Sequence, residues 1–199
     1  IELDNKQYLQ EGWKMVEGNV EKIKNLSLDL LNYGKYSDVM FTEGDANAPA
    51  EEVTQLLASK AQAQGITLKA DLSDELAPVR FDPEGIHRCL LNLVSNAIDA
   101  CGEDDGRGKT VTVRTLKPEN WAVEYQVIDT GSGMTKDVQD KIFQSFFSTK
   151  GIRGTGIGLM MTKRIVDQHQ GTIEVTSEKD AGSTICIKLP FPFSKFLDT

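Results

Sequence analysis

The alternation of helical and strand-like stretches between residues 41 and 190 most constrains the fold of this 199-residue chain. Helical periodicity and helix start and stop signals occur over 49–64, 83–100 and 157–169. The strand-like stretches are 66–70, 79–81, 110–116, 121–129, 172–177 and 184–189. The two central strands are close enough in sequence to form a hairpin. Helices interleaved with such strands predict an α+β fold, a two-layer α/β sandwich.

The first 40 residues have no proline and carry an apolar stripe of their own. Its positions are alternately four and three residues apart, the 3.5-residue period of a helix in a coiled coil or bundle: Leu9, Trp13, Val16, Val20, Ile23, Ser27 and Leu30. A helix of about 35 residues spans about 50 Å. We expect its stripe to pack on a second helix or on a second copy of the chain, the alternative being the chain's own globular domain.

Charge, the length of the apolar stretches and cysteine content argue against nucleic-acid binding, membrane spans and an oxidising location. The 22 basic and 30 acidic residues give a net charge of −8, which argues against nucleic-acid binding. No stretch approaches the roughly 18 apolar residues of a membrane span, so we expect no membrane contact by this chain. The three cysteines form no CxxC pair, which favours a reduced, cytoplasmic setting. Because the chain starts at Ile1 rather than Met, we expect it to be part of a longer protein.

Two asparagines interrupt the apolar helix that ends near Gly102. Asn92 and Asn96 are four residues apart and therefore share one face. Leaving a buried amide unpaired costs about 1–3 kcal/mol, so these groups must be hydrogen-bonded or ligate something. An amide oxygen suits Mg²⁺ beside phosphates. On this motif alone, a pair of helix-surface amides is equally consistent.

Two glycine-rich stretches follow. Asp129 ends a strand and precedes Gly131 and Gly133, where a carboxylate can accept a hydrogen bond from an exocyclic amine and glycine allows close approach of a ligand. Residues 154–158 (GTGIG) open a helix, and a helix N-terminus presents free N–H groups to an anion. Each signal alone is weak, since the first is also an ordinary turn. The second is neither a Walker A loop nor a good dinucleotide fingerprint.

Taken in order, the stretches NLVSNAIDA, DTGSGM, KIFQSFFSTK and GTGIGL resemble the N, G1, F and G2 boxes of sensor histidine kinases. Those boxes belong to the catalytic and ATP-binding domain, in a superfamily with DNA gyrase-type ATPases, mismatch-repair ATPases and ninety-kilodalton heat-shock chaperones. The resemblance covers about residues 51–190. It implies a Bergerat-type ATP-binding fold with a mixed, largely antiparallel sheet, preceded by a long bundle-forming helix.

The resemblance also implies roles for individual residues, with ATP and Mg²⁺ as cofactors. Asn96 would be the Mg²⁺ ligand, Asn92 would line the phosphates, and Asp129 would bind the adenine amino group. Asn92, Asn96 and Lys150 are the implied catalytic residues. The implied nucleotide contacts are Asn92, Asn96, Asp129, Gly131, Gly133, Met134, Phe147, Thr149, Lys150, Arg153, Gly154, Thr155, Gly156, Gly158 and Leu159.

Residues 134–153 would form a mobile lid over the nucleotide. Lys150 and Arg153 would meet the β- and γ-phosphates, although exposed lid charges are an equally good interpretation. Phe143, Phe146 and Phe147 would be the apolar anchors of the lid, or plain core aromatics.

Residue 92 helps to separate members of the superfamily. The hydrolases of the group carry Glu there as the general base for water, whereas Asn92 cannot take a proton at neutral pH. Holding ATP without activating water suits a kinase. We therefore expect a protein-histidine kinase of a two-component system that passes phosphate on to a response regulator receiver domain. The alternatives are a gyrase- or chaperone-type ATPase, and a nucleotide-binding regulatory module without phosphotransfer.

The phosphoacceptor histidine of such kinases lies on the first helix of a dimerisation hairpin, in a motif like H-E-x-R-T-P-L. His87 and His169 lack that motif, and we expect both to be structural. Residues 28–35 resemble the second hairpin helix, so we expect the first to lie upstream of Ile1, the alternative being a protein that has lost it, and we expect the chain to form a homodimer. The predicted division is a dimerisation helix over 1–40, a linker over 41–50, the catalytic and ATP-binding domain over 51–192, and a tail over 193–199.

Overall fold

A computed structural model describes residues 8–20, 23–24, 27, 39–102, 109–150 and 154–191. Residues 8–20 form helix α1, and residues 23–24 and 27 are also helical. Leu9 and Trp13 are 69% and 70% exposed, so the apolar stripe of α1 faces outward. Residues 39–40 are described and are not helical, so the predicted helix does not reach residue 40; its other residues and the predicted tail lie outside the described residues. No helix in the described ranges has the length and apolar character needed to cross a membrane.

The other elements follow the predicted order closely. They are β1 (Thr42–Gly44), α2 (Ala48–Ala63), β2 (Thr67–Asp71), β3 (Val79–Phe81), α3 (Pro83–Gly102), β4 (Thr110–Leu116), β5 (Val123–Asp129), α4 (Lys136–Gln139), α5 (Gly158–Gln168), β6 (Thr172–Glu178) and β7 (Gly182–Leu189). The short helix α4 lies within the predicted lid, residues 134–153.

Five strands form one mixed sheet in the order β2-β4-β5-β7-β6. Among the described strands of this sheet only the β2–β4 pair is parallel, and the predicted hairpin forms with Val113 opposite Val127. Helices α2 and α3 pack on this sheet, and α3 also contacts α5. Their apolar faces and the inward residues of the strands form one core. The predicted two-layer sandwich with a largely antiparallel sheet is confirmed.

The stretch predicted as a linker, 41–50, is packed on this domain. Strand β1 pairs antiparallel with β3. Ala46 and Ala50 are completely buried, and the Tyr125 hydroxyl on β5 donates a hydrogen bond to the Ala46 carbonyl at 2.9 Å. Asp45, Ala46 and Asn47 form the turn between β1 and α2, whereas Gly44 ends β1 and Pro49 lies in the first turn of α2.

His169 is buried at the end of α5 and ties that helix to the start of α3. Its Nε2 accepts a hydrogen bond from the Asp82 N–H at 3.0 Å, and its Nδ1 lies 2.7 Å from the Ile165 carbonyl. This arrangement needs a neutral ring protonated on Nδ1, and burial lowers the pKa of His169 accordingly. His87 lies on α3 with Nε2 3.8 Å from a Glu52 carboxylate oxygen. Both positions agree with the structural role expected of these histidines.

Candidate functional site

A cleft of about 1180 Å³ lies between α3, the adjoining ends of β5 and β7, and the segment that precedes α5. It gathers nearly all of the residues predicted to contact the nucleotide. Gly131 is adjacent to the cleft, and Arg153 falls outside the described residues. The predicted contacts that line the cleft are Asn92, Asn96, Asp129, Gly133, Met134, Phe147, Thr149, Lys150, Gly154, Thr155, Gly156, Gly158 and Leu159.

Asp129 marks one end of the cleft, where β5 stops. Its side chain is only 8% exposed, and its Oδ1 accepts a hydrogen bond from the Gly131 N–H at 2.9 Å. Ser183 on β7 pairs with Asp129 across the sheet and hydrogen-bonds it through backbone and side chain. Burial raises the pKa of Asp129, and these hydrogen bonds offset part of the effect. A carboxylate held in this way can accept a hydrogen bond from a neutral amine of a ligand.

The glycines beside Asp129 let its loop pack directly on other backbone. A Cβ on Gly131 would lie 2.6 Å from the Ala100 carbonyl carbon of α3. Ser132 donates its N–H to the Ala100 carbonyl at 3.3 Å. Gly133 has a φ of +61°, and a Cβ there would overlap the Glu178 carbonyl. The loop that follows β5 is thus fixed between the end of α3 and the β6–β7 turn.

The paired amides lie on α3 at the other end of the cleft. Asn92 donates through Nδ2 to the Thr162 hydroxyl of α5 at 3.0 Å, and its Oδ1 accepts from Asn96 Nδ2 at 3.3 Å. A Cβ on Gly158 would overlap the Asn92 amide, so glycine allows the N-terminus of α5 to approach this face of α3. Both amides are half-buried and hydrogen-bonded, as the burial argument required.

A cluster of two lysines and one aspartate adjoins Asn96. Lys150 donates from Nζ to Asn96 Oδ1 at 2.9 Å and to Asp99 Oδ2 at 2.8 Å. Lys60 of α2 donates to Asp99 Oδ1 and to the Ser95 hydroxyl, both at 2.9 Å. Partial burial acts to raise the pKa of Asp99, but the hydrogen bonds from Lys150 and Lys60 outweigh it and the pKa is lowered. The Asn96 oxygen already contacts a cation, which is the chemistry that a metal ligand needs.

Sequence reasoning missed four residues of this site. Asp99 follows Asn96 by three residues and Asn92 by seven, so helical spacing was a signal for it. Lys60, Thr162 and Ser183 come from other elements, and only the packing of the chain brings them here.

The three phenylalanines of the predicted lid differ in their exposure to solvent. Phe147 is half-buried and lines the cleft, and Phe143 is also half-buried. Phe146 is 69% exposed and adopts a φ of +64°. Phe146 is therefore not a core aromatic.

Comparison with known proteins identifies the family. Residues 81–192 match the model of the "Histidine kinase-, DNA gyrase B-, and HSP90-like ATPase" family. Sporulation kinase E of Bacillus subtilis (strain 168) is 28% identical over 178 residues, which are 89% of this chain and 23% of that protein. Sensor histidine kinase ZraS of Escherichia coli (strain K12) is 33% identical over 170 residues, which are 85% of this chain and 35% of ZraS. The chain thus spans about a quarter to a third of these relatives.

Solved structures agree with this assignment. The catalytic domain of histidine kinase ThkA superposes with a TM-score of 0.67 at 29% identity, covering 77% of this chain and 97% of that domain. A complex of ThkA with response regulator protein TrrA superposes with a TM-score of 0.71 at 25% identity, covering 89% of this chain and 50% of that ThkA chain. The chain therefore belongs to the histidine kinase-, DNA gyrase B- and HSP90-like ATPase family, and its domain is the catalytic and ATP-binding domain of the sensor histidine kinase type.

Proposed function

We propose that this chain is the ATP-binding part of a protein-histidine kinase in a two-component system. The observation that carries the proposal is the hydrogen bonding of Asn92, whose side-chain amide donates to Thr162 and accepts from Asn96. An amide in that position cannot take a proton from water at neutral pH. The cleft is therefore suited to holding ATP for transfer to another nucleophile, and much less to hydrolysing it.

The two ends of the cleft would bind different parts of the nucleotide. Asp129 would accept a hydrogen bond from the adenine amino group, and the glycine-rich residues 154–158 would approach the phosphates. Asn96 would hold Mg²⁺ through its amide oxygen, with Asn92 beside the phosphates. When bound, the ion neutralises part of the triphosphate charge. Lys150 would contact the β- and γ-phosphates, and Arg153 is proposed for the same role.

The phosphoacceptor histidine would come from a separate helix. His169 uses both ring nitrogens in buried contacts, His87 lies beside Glu52, and neither lines the cleft. We propose that a dimerisation hairpin supplies the acceptor, that residues 1–40 form its second helix in a homodimer, and that 51–192 act as the catalytic unit. The exposed apolar side chains of α1 support this dimer.

A response regulator receiver domain would receive the phosphoryl group from the histidine. The ThkA–TrrA complex, which contains a relative of this chain and a response regulator, supports that partner. A cytoplasmic location belongs to the same proposal, and the three free cysteines support it.

The decisive experiment supplies the missing acceptor. The chain is incubated with γ-labelled ATP, Mg²⁺ and a separate helical hairpin that carries a phosphoacceptor histidine. We expect label on the hairpin, while hydrolysis to free phosphate stays very slow. Asn96→Ala should abolish the transfer. Gln55→Ala, which changes an exposed amide on α2, should leave it unchanged.

Other outcomes would point to other members of the superfamily. Rapid release of phosphate without the hairpin, lost in Asn96→Ala, would contradict the kinase and indicate a gyrase- or chaperone-type ATPase. Binding of ATP with neither transfer nor hydrolysis would indicate a regulatory nucleotide-binding module.

A further inference from the structure

Lys150 donates to the same Asn96 oxygen that is proposed to hold the metal ion. The Nζ–Oδ1 distance of 2.9 Å is that of a direct hydrogen bond. An ammonium group and a divalent cation on one carbonyl oxygen would repel each other strongly at such distances. Lys150 must therefore leave Asn96 when the metal ion arrives with its nucleotide.

Asp99 is the group that holds Lys150 in place. Its Oδ2 accepts from Lys150 at 2.8 Å, and its Oδ1 accepts from Lys60 at 2.9 Å. The side chains of Lys150 and Asp99 are 28% and 37% exposed, so solvent screens this pair only in part. Lys150 also has a long, flexible side chain, which can move its charge toward a neighbouring phosphate without moving the backbone.

Lys60 allows that exchange at low cost. A half-buried carboxylate that loses its partner pays a desolvation penalty, but Asp99 would keep Lys60 when Lys150 departs. The Ser95 hydroxyl also accepts a hydrogen bond from the Lys60 ammonium at 2.9 Å, which helps to keep Lys60 beside Asp99. Lys60 lies on α2, before the residues 81–192 that match the family model.

We propose that Asp99 is a positioning residue that latches Lys150 onto Asn96 before nucleotide binds and releases it to the triphosphate afterwards. The inference rests on the proposed function in so far as it assigns the cleft to Mg-ATP. The latch is an internal competitor for Mg-ATP, because binding must break the Asp99–Lys150 pair. Adenosine has no phosphates and does not compete with it.

A double-mutant cycle in the whole chain tests the latch. Calorimetry measures the affinity for Mg-ATP and for adenosine in the unmodified chain, Asp99→Asn, Lys150→Gln and the double variant. We expect Asp99→Asn to tighten Mg-ATP binding about threefold, in line with the strength of partly exposed ion pairs. In the Lys150→Gln background the same change should have less than about a 1.5-fold effect, because Asp99 then has no Lys150 to hold. Adenosine affinity should be equal in all four.

Asp71→Asn is the matched control. It removes one negative charge from the Asp71–Arg114 pair on the sheet, outside the cleft, and should leave Mg-ATP affinity unchanged. If Asp99→Asn tightened Mg-ATP binding equally in both Lys150 backgrounds, simple charge repulsion would explain it and the latch would be refuted. Weaker or unchanged binding in Asp99→Asn would refute it too.

If Asp99→Asn does not fold, a measurement on the unmodified chain still tests the latch. The NMR resonance of the Lys150 ammonium, assigned by its loss in Lys150→Gln, should shift on addition of Mg-ATP and stay in place with adenosine. A Lys150 resonance whose chemical shift does not change on addition of Mg-ATP would refute the latch. If neither adenosine nor Mg-ATP binds the unmodified chain, the proposed function itself fails, which is a different result from additive effects in the cycle.

Discussion

Asp129 and Asp99 both line the cleft, and their surroundings move their pKa values in opposite directions. Burial at the end of β5 raises the pKa of Asp129, where the neighbouring donors are neutral: the Gly131 N–H and Ser183. Asp99 is also partly desolvated, but two lysine ammonium groups lower its pKa. The same residue type therefore does two jobs. Asp129 is suited to recognising a neutral amine, and Asp99 to holding a cation that is later exchanged.

Removing Asp129 should have the largest effect. Asp129→Ala deletes a buried hydrogen-bond acceptor, and hydrogen bonds to charged groups contribute about 1.5–3 kcal/mol. We expect affinity for ATP and for adenosine alike to fall about 100-fold, measured by calorimetry. Asp71→Ala, outside the cleft, serves as the control. Undiminished affinity in Asp129→Ala would mean that this end of the cleft does not bind the base.

The second test asks whether the Asp129 end is rigid and the Lys150 end adjustable. A Cβ on Gly131 meets backbone atoms of Ala100 and Cys101 at 2.6–2.8 Å, whereas a Cβ on Gly154 chiefly meets the side chain of Ser148. Backbone of a packed helix cannot move aside, whereas Ser148, whose Oγ and Cβ a Cβ on Gly154 would meet, belongs to an irregular segment outside the helices and strands. We expect Gly131→Ala to lower the free energy of unfolding by about 2 kcal/mol.

Gly154→Ala should cost less than about 1 kcal/mol by the same measurement, urea denaturation at pH 7. Equal losses for the two glycine variants would remove the contrast between a fixed and an adjustable end.

The smallest effect lies in how stability depends on pH. The folded-state pKa of Asp99 is lowered, so its contribution to stability is present above its unfolded-state pKa and is lost as pH falls through the folded value. Asp99→Asn should therefore destabilise the chain at pH 7 by about 0.5 kcal/mol and have little effect at pH 2.

Asp129→Asn should act in the opposite sense. The folded-state pKa of Asp129 is raised, so the ionised group opposes folding once pH rises through that value. Its replacement should stabilise the chain at pH 7 and be neutral in acid. Thermal unfolding of both variants from pH 2 to 7 measures the two slopes, and slopes of the same sign would contradict the comparison.

The fold was largely predictable because its signals are local. Pro83 and Gly102 mark the two ends of a helix whose apolar residues recur at helical spacing. In β4 and β5, apolar and polar residues alternate as they do in a hairpin. Strand β1 was missed because three residues, Thr42–Gly44, become a strand only through pairing with β3. Short strands of this kind carry little pattern of their own.

The candidate site was predictable in part for a similar reason. Asn92, Asn96 and Asp129 stand in motifs that can be read along the chain, and the structure brings them to one cleft. Lys60 is 39 residues from Asp99, and Ser183 is in register with Asp129 only through the β5–β7 pairing. Such partners depend on tertiary contacts, to which sequence spacing gives no access.

The contact between the Ser132 N–H and the Ala100 carbonyl joins the loop after Asp129 to the helix that carries both asparagines. The loop and the helix are therefore packed together, and their packing sets the distance between Asp129 and the two asparagines. A ligand must match that distance to contact Asp129 and the asparagines at the same time. In the proposed complex Lys150 would supply the remaining contact, to the terminal phosphate, through its flexible side chain.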